Sequence, residues 1–322
     1  MIRPLLLFFC LTLLTACDDG DILTIDLDFD EELAYCDNFE EYHLVYDTRE
    51  DPNEALILIF EKGEDINDAF FTHATTEGSP ETLTIDASTT RFIYRTYNRA
   101  LTSDDVCAVV SPSGLSVQED YEAGSGTIYV TSTIEDDDND GVPNEYEGIA
   151  GLPDEDGIYW DSLDTDGDGI PNYLDIDDDG DNVLTANELD EDNADDDDNP
   201  LTNPLNTDAD HPTNSDDIPD YLDNDDDGDG VLTRLEDANG ENGPGDDRIS
   251  VNGILVELYL NSEEATAYTF DDYDAYTNSY TRTVETSFVV TDTDLTIFRS
   301  TEINLGTLTT EIEDFNPDDY DN

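Results

Sequence analysis

Short stretches of apolar and β-branched residues recur along the first part of the chain, separated by clusters of Gly, Pro, Asn and Asp. The clearest stretches are residues 56–60, 83–85, 92–94 and 127–130. Runs of this length and composition are typical of β-strands. Several short strands with turn residues between them predict an antiparallel, β-sandwich-like domain over residues 18–134.

The apolar pattern stops near residue 135, where Asp, Asn and Gly become dominant, and it returns near residue 248. Three later stretches are strand-like again: 254–260, 286–290 and 295–298. We therefore expect a mainly β protein with a central, irregular Asp-rich region at 135–247. The C-terminal part, 248–316, is either a small β domain or the completion of the first sheet, and 317–322 is a tail.

Residues 1–17 have the features of a targeting segment. Arg3 precedes an apolar core of about ten residues, which is too short to span a bilayer. The segment ends in Leu14-Thr15-Ala16-Cys17, which resembles the lipobox of bacterial lipoproteins. The resemblance implies that Cys17 is acylated and anchors the chain to the outer membrane. Asp18 and Asp19 resemble the surface-export signal of Bacteroidota lipoproteins, which implies an outward-facing position.

Two cysteines remain after Cys10 in the targeting segment and the lipidated Cys17 are set aside. They are Cys36 and Cys107. In an oxidising compartment an even pair predicts one disulfide, and two free buried thiols are the alternative.

The charge of the chain is extreme. It has 85 acidic and 10 basic residues and a formal net charge of −75. About half of the acidic residues lie between residues 135 and 247, where Arg234 is the only basic residue. Such a charge repels phosphate groups, so nucleic acid is excluded as a partner. Charge at this density needs full solvation, as in a disordered linker, or bound cations.

An internal repeat argues against a disordered linker. Residues 170–181 correspond to residues 218–229 at an offset of 48, with Ile-Pro, Tyr-Leu and the acidic positions in register. A linker under no structural constraint would not keep apolar, proline and acidic positions aligned.

The spacing of the acids within the repeat suits calcium. Calcium prefers six to eight oxygen ligands, which a loop supplies from positions 1, 3, 5, 7, 9 and 12, with glycine at position 6 for a sharp turn. Residues 225–236 meet each requirement, and three further loops follow the same rule, with Asn182 where glycine is usual. The candidate ligands are Asp136, Asp138, Asp140, Asn144 and Glu147; Asp164, Asp166, Asp168, Asn172 and Asp175; Asp177, Asp179, Asp181, Thr185 and Glu188; and Asp225, Asp227, Asp229, Thr233 and Glu236.

A fifth loop is interrupted. It begins like the others, but residues 211–215 separate its opening from its end. Its candidate ligands are Asp208, Asp210, Asp216, Asp220 and Asp223. The spacing leaves open whether this loop binds a cation.

The loops resemble two families, the EF-hand and the thrombospondin type 3 repeat. Loop two begins 13 residues before loop three, which leaves no room for the helices that flank an EF-hand loop. The tandem packing is therefore more similar to thrombospondin type 3 repeats, in which the chain wraps around a string of calcium ions. The resemblance implies Ca²⁺ as the cofactor and covers about a third of the chain.

No catalytic motif stands out, so we expect a non-enzymatic, calcium-binding lipoprotein of the cell envelope. Calcium would stiffen residues 135–247 into a spacer that presents the β regions. The alternative is a surface glycan- or protein-binding module whose shape calcium supports. Its candidate contacts are the tyrosines of the C-terminal region: Tyr259, Tyr268, Tyr273, Tyr276 and Tyr280.

Overall fold

The computed structural model describes residues 29–63, 69–76, 78–154, 157–189, 201–269, 277–295, 297–298 and 302–317. The targeting segment with Cys17, the acids after it and most of the tail lie outside these ranges. Within them, no helix has the length and apolar character needed to cross a membrane.

The described chain is mainly β, as the sequence predicts. Its strands are β1 (Ala34–Tyr35), β2 (Tyr42–Arg49), β3 (Glu54–Glu61), β4 (Glu81–Ile85), β5 (Thr90–Tyr97), β6 (Val117–Glu122), β7 (Gly126–Thr133), β8 (Arg248–Val251), β9 (Ile254–Glu257), β10 (Tyr280–Thr291) and β11 (Glu302–Phe315). A short α-helix, α1, spans Ser103–Val106. Short 3-10 turns span Asn144–Tyr146, Asn172–Leu174, Thr185–Asn187, Asp220–Leu222, Thr233–Leu235, Pro244–Asp246 and Leu258–Leu260.

Two antiparallel sheets form a β-sandwich. One has the strand order β1-β2-β3-β5-β6 and the other the order β11-β10-β7-β4. Strand β3 lies in the middle of its sheet and is buried almost throughout, which explains its continuous apolar sequence. Strands β7 and β10 instead alternate between buried and more exposed residues, as expected where one face of a sheet is covered.

The main core lies between the two sheets. Leu58, Phe60 and Phe92 from the first sheet pack with Ile128 and Phe288 from the second, and all five side chains are fully buried. A smaller cluster covers the outer face of the five-stranded sheet.

The Cys36–Cys107 disulfide is present, as predicted, with a Cα–Cα distance of 5.4 Å. It belongs to the outer cluster and fastens the segment around α1 to that face of the sheet.

The C-terminal strands complete the first sandwich instead of forming a domain of their own. Strand β10 pairs with β7, from Thr127 opposite Thr291 to Thr133 opposite Glu285. Only β8 and β9 form a separate two-stranded hairpin. The Asp-rich region is therefore an insertion between two neighbouring strands, and this topology does not correspond to a rod joining two separate β domains.

Two predicted strands differ in the structure. The stretch 254–260 is a strand only as far as Glu257, because the chain then turns and buries Leu258 and Tyr259. Among the described residues of 295–298, Leu295 and Ile297 pack against the main core from outside any strand.

An apolar cluster docks the insertion on the end of the sandwich. Ile158, Tyr173 and Leu174 of the insertion pack with Tyr280 and Phe315 of β10 and β11. The Asn278 side chain reinforces this contact, since its Nδ2 donates to the carbonyl oxygen of Leu174 at 2.6 Å.

Candidate metal centre

Each complete loop of the insertion has the same internal hydrogen bonds, and loop three (177–188) illustrates them. Asp177 at position 1 accepts a bond from the N–H of Asn182 at position 6, at 3.1 Å. Asp179 accepts from the N–H of Asp181 at 3.2 Å, and Asp181 accepts from the N–H of Val183 at 2.7 Å. The carboxylates thus hold the backbone in a tight coil with their second oxygens turned inward.

The turn at position 6 requires a left-handed backbone. Gly141, Gly169 and Gly230 have φ angles of 100°, 106° and 92° at this position. Asn182, which replaces glycine in loop three, adopts a φ of 71°. Asparagine tolerates this region better than most side chains, so loop three keeps the geometry of the others.

The inward carboxylate oxygens have no hydrogen-bond partner. At positions 3 and 5, the Oδ1 atom accepts a backbone N–H and the Oδ2 atom is buried without a partner. This holds for Asp138, Asp140, Asp179, Asp181, Asp227 and Asp229. A buried charged oxygen without a partner is strongly destabilising, so nearly all such atoms in folded proteins have one. A hard divalent cation is the partner that this set of oxygens suits.

The acid at position 12 completes this arrangement. In three loops it is a buried glutamate directly after a 3-10 turn: Glu147, Glu188 and Glu236. Both carboxylate oxygens of Glu147 lack a partner, as does one oxygen each of Glu188 and Glu236. Burial, followed by the neighbouring Asp140 carboxylate, raises the pKa of Glu147 to about 9.

The carboxylates of a loop also converge on one point. In each of loops one, two and three, oxygens from positions 1, 3 and 5 lie within 4.8 Å of one another. In loop four (225–236), burial and then the carboxylates of Asp227, Asp229 and Asp225 raise the pKa of Glu236 to about 9. Groups that oppose one another's ionisation in this way are the groups that a cation would bring together.

The position 9 residue holds the loop closed. Its side-chain oxygen accepts the N–H of position 2, with Asn144 bonding to Asp137 at 2.8 Å and Thr185 bonding to Asp178 at 3.1 Å. Asn172 and Thr233 make the equivalent bonds in loops two and four. These four candidate ligands therefore also have a structural part in closing the loop.

Loop two (164–175) differs from the others in exposure. Asp166 and Asp168 are exposed, whereas their equivalents in loops one and three are buried. Its closing residue, Asp175, is buried, and its Oδ1 accepts the N–H of Asp177 in the next loop at 3.1 Å. Loop two is thus a more open version of the same arrangement.

The interrupted loop keeps both of its ends. Thr207 donates its N–H to Asp220 at 2.7 Å, as Thr165 does to Asn172 in loop two. Ile218 likewise donates to Asp216 at 2.9 Å. These bonds align Asp208, Asp216, Asp220 and Asp223 with positions 3, 5, 9 and 12.

Position 1 of the interrupted loop is Asn206, which the sequence did not indicate. Its Oδ1 atom is buried and has no hydrogen-bond partner. Asp210, a predicted ligand, lies exposed in the extra residues between Asp208 and Asp216.

A shorter loop follows at residues 237–247, and the sequence did not indicate it either. Gly240 donates to Asp237 Oδ1 at 2.5 Å, and Glu241 donates to Asn239 Oδ1 at 2.7 Å. The second bond repeats that of position 3 in the complete loops, and the first matches the bonds from position 4 to position 1 in loops one and two. The signal in the sequence is the alternation Asp-x-Asn-x-Glu, which lacks a closing acid at the usual spacing.

Position 2 carries further buried acids that spacing alone does not single out. In loop one it is Asp137, which forms a buried ion pair with Arg282 of β10. In loops three and four it is Asp178 and Asp226, which are 2% and 1% exposed. The available signal was the unbroken triplet of aspartates at 177–179 and 225–227, where alternate acids would have been enough.

These features define a class of site: an array of acidic oxygen-ligand loops attached to a β-sandwich. Residues 129–215, which are less than half of the chain, match the model of a protein family described as BamM C-terminal. No curated protein and no solved structure gives a significant match.

Proposed function

We propose that this chain is a non-enzymatic calcium-binding protein of the cell envelope. Its insertion folds around Ca²⁺ ions held by the four complete loops. With the ions bound, the insertion is an ordered projection of the sandwich, and without them its carboxylates repel one another and the projection loosens.

One observation carries this proposal. The same ligand positions in successive loops have buried carboxylate oxygens without hydrogen-bond partners, as in Asp138, Asp179 and Asp227 at position 3. Among the described residues, Arg282 of β10 pairs with Asp137, and Arg234, the only basic residue between 135 and 247, is exposed, so ion pairs with the protein do not account for these position 3 acids. Calcium is favoured over magnesium because magnesium keeps most of its water ligands and binds few protein oxygens.

Two observations support the proposed cellular location. The match to an envelope-associated family agrees with the lipobox-like sequence that ends at Cys17. We propose that acyl chains on Cys17 anchor the sandwich to the outer membrane, on its outer side, and that the insertion projects from it. Metabolic labelling with a fatty-acid analogue tests the anchor, since Cys17→Ser should abolish incorporation and release the protein from the membrane fraction.

Calcium titration of the chain from residue 18 onward, which lacks the targeting segment, tests the central proposal. Calorimetry should show several sites with dissociation constants of order 10⁻⁴–10⁻³ M, as in other extracellular modules. Small-angle scattering should show a smaller radius of gyration with calcium than with chelator. A chain that takes up no calcium at millimolar concentration and keeps its dimensions would refute the proposal.

A cleft between the sandwich and the insertion favours the second candidate function, recognition of a surface glycan or protein. It has a volume of about 540 Å³ and is lined in part by His73, Glu145 and Tyr159. Of the C-terminal tyrosines, Tyr259 and Tyr280 are buried and therefore less suited, and Tyr273 and Tyr276 lie outside the described residues. A glycan array with calcium tests this function: binding should be lost in Tyr159→Ala and kept in Tyr129→Ala, whose side chain is exposed on β7.

A further inference from the structure

Asp178 and Asp226 occupy position 2 of loops three and four, and the calcium-loop pattern has no ligand at position 2. Both oxygens of each carboxylate are buried without a hydrogen-bond partner. The two residues are equivalent in the 48-residue repeat, so the same unusual environment occurs twice.

Each of these carboxylates faces a different loop from its own. An Asp178 oxygen lies within 4.8 Å of oxygens of Asp140 and Glu147, which are positions 5 and 12 of loop one. Asp226 has the same relation to Asp181 and Glu188, positions 5 and 12 of loop three. Both groups of three carboxylates are buried throughout.

The other loops show two kinds of residue at position 2. Asp137 of loop one pairs with Arg282 of the sandwich. In loop two and the interrupted loop the residue is threonine, and Thr165 and Thr207 bond only to the position 9 side chain of their own loop. Within the described part of the chain, neither Asp178 nor Asp226 forms an ion pair or a hydrogen bond through its carboxylate, and Arg234, the only basic residue between 135 and 247, is exposed.

Three buried carboxylates without a neutralising group repel one another strongly, whereas a cation between them would satisfy all three. We propose that a hard divalent cation, Ca²⁺ in the first place, lies at each of two junctions between loops. Asp140, Glu147 and Asp178 hold one cation, and Asp181, Glu188 and Asp226 hold the other. The cations link loop one to loop three and loop three to loop four. This inference rests on the proposed calcium binding and adds ligands and links that the single-loop pattern does not contain.

The test uses the full chain and two isosteric substitutions, Asp178→Asn and Asp226→Asn. Each should reduce calcium affinity by roughly tenfold at its junction, because a charged ligand is replaced by a neutral one. Without calcium, each should raise the melting temperature, since a buried repulsion is removed. With calcium, each should lower it. Asp161→Asn is the matched control: it removes one exposed negative charge between loops one and two and should change neither calcium affinity nor the calcium-induced shift.

A melting temperature that rises without calcium and falls with calcium distinguishes a calcium ligand from a buried acid that has only a structural effect. If either variant gains stability equally with and without calcium, and binds calcium as the wild type does, the junction site at that residue is refuted. If the wild type itself binds no calcium, the proposed function fails as well, which is a distinguishable result.

A lanthanide-soaked crystal gives a second, direct measurement. An anomalous peak should lie between Asp140, Glu147 and Asp178, and another between Asp181, Glu188 and Asp226. Peaks confined to positions 1, 3 and 5 of the loops would overturn the proposal even if a variant failed to fold.

Discussion

The sandwich and the insertion are parts of one chain that bury opposite kinds of side chain. The sandwich buries phenylalanine, leucine, isoleucine and valine between two sheets. The insertion buries aspartate and glutamate around points where their oxygens meet. The first interior is stable in water by itself, whereas the second requires a counter-charge. If the insertion binds calcium as proposed, stability in this protein has two separate sources, one of which comes from the solution.

Removal of calcium should produce the largest difference in stability between the insertion and the sandwich. In excess chelator, the backbone amides of residues 136–236 should exchange with deuterium at rates close to those of an unfolded chain. The amides of β3, β5 and β10 should stay protected. Hydrogen-exchange mass spectrometry measures both regions in one experiment. Magnesium at the same concentration is the control and should not restore protection. Equal loss of protection in both regions would contradict two separate sources of stability.

A core substitution should act on the sandwich alone. Phe288 is fully buried and its ring lies near those of Phe60, Phe70 and Phe71. Phe288→Ala should lower the free energy of unfolding by about 4 kcal/mol through lost burial and a cavity. The loss should be the same with and without calcium, as measured by denaturant unfolding. Tyr129→Ala, on the exposed face of β7, is the control and should change little.

A substitution at the contact between the two regions should have an intermediate effect on stability. Arg282 is 3% exposed, pairs with Asp137 and lies with its guanidinium carbon 3.8 Å from the centre of the Phe315 ring. Arg282→Met should destabilise the protein by about 3 kcal/mol, because Asp137 is then a buried charge without a partner.

The double variant Arg282→Met with Asp137→Asn tests this reason. It should recover a large part of the lost stability, since the unpaired charge is gone. If the double variant is less stable than Arg282→Met, the ion pair is not the source of the effect.

The smallest effect should come from the interrupted loop. Asp210 is exposed in the extra residues, so Asp210→Asn should change the free energy of unfolding by less than about 0.5 kcal/mol and leave the calcium stoichiometry unchanged. Asp208→Asn is its matched partner, because Asp208 is 2% exposed. If this loop binds calcium, only the Asp208 variant should lose a site in a calorimetric titration.

Local patterns in the sequence predicted a large part of both regions. The apolar runs and the alternation of apolar and polar residues predicted strands β3, β4, β5, β7 and β10. The burial pattern of a strand is visible in its own sequence. Strand β11 was missed. It is rich in Thr and Glu, and it contains Gly306, which has a φ of 124° and leaves room for the backbone of Glu31.

For the candidate site, the sequence indicated only the arrangement within each loop. Positions 1, 3, 5 and 12 lie within one loop, so their spacing is visible along the chain. Asp178 and Asp226 instead meet residues of another loop, and only the fold brings them together. The pairing of β10 with β7 was likewise hidden, since the strands are separated by the whole insertion.

That separation affects how the two strands hold together. The 146 residues from 134 to 279 leave β7 and return to β10, so the two strands close a long loop. If the segment is a flexible polymer, closing it has an entropy cost of roughly 4 kcal/mol plus a constant, which opposes the pairing. If cations fold the segment, its two ends are already held near each other. Dissolved calcium would in that way strengthen a hydrophobic core that contains none of its ligands.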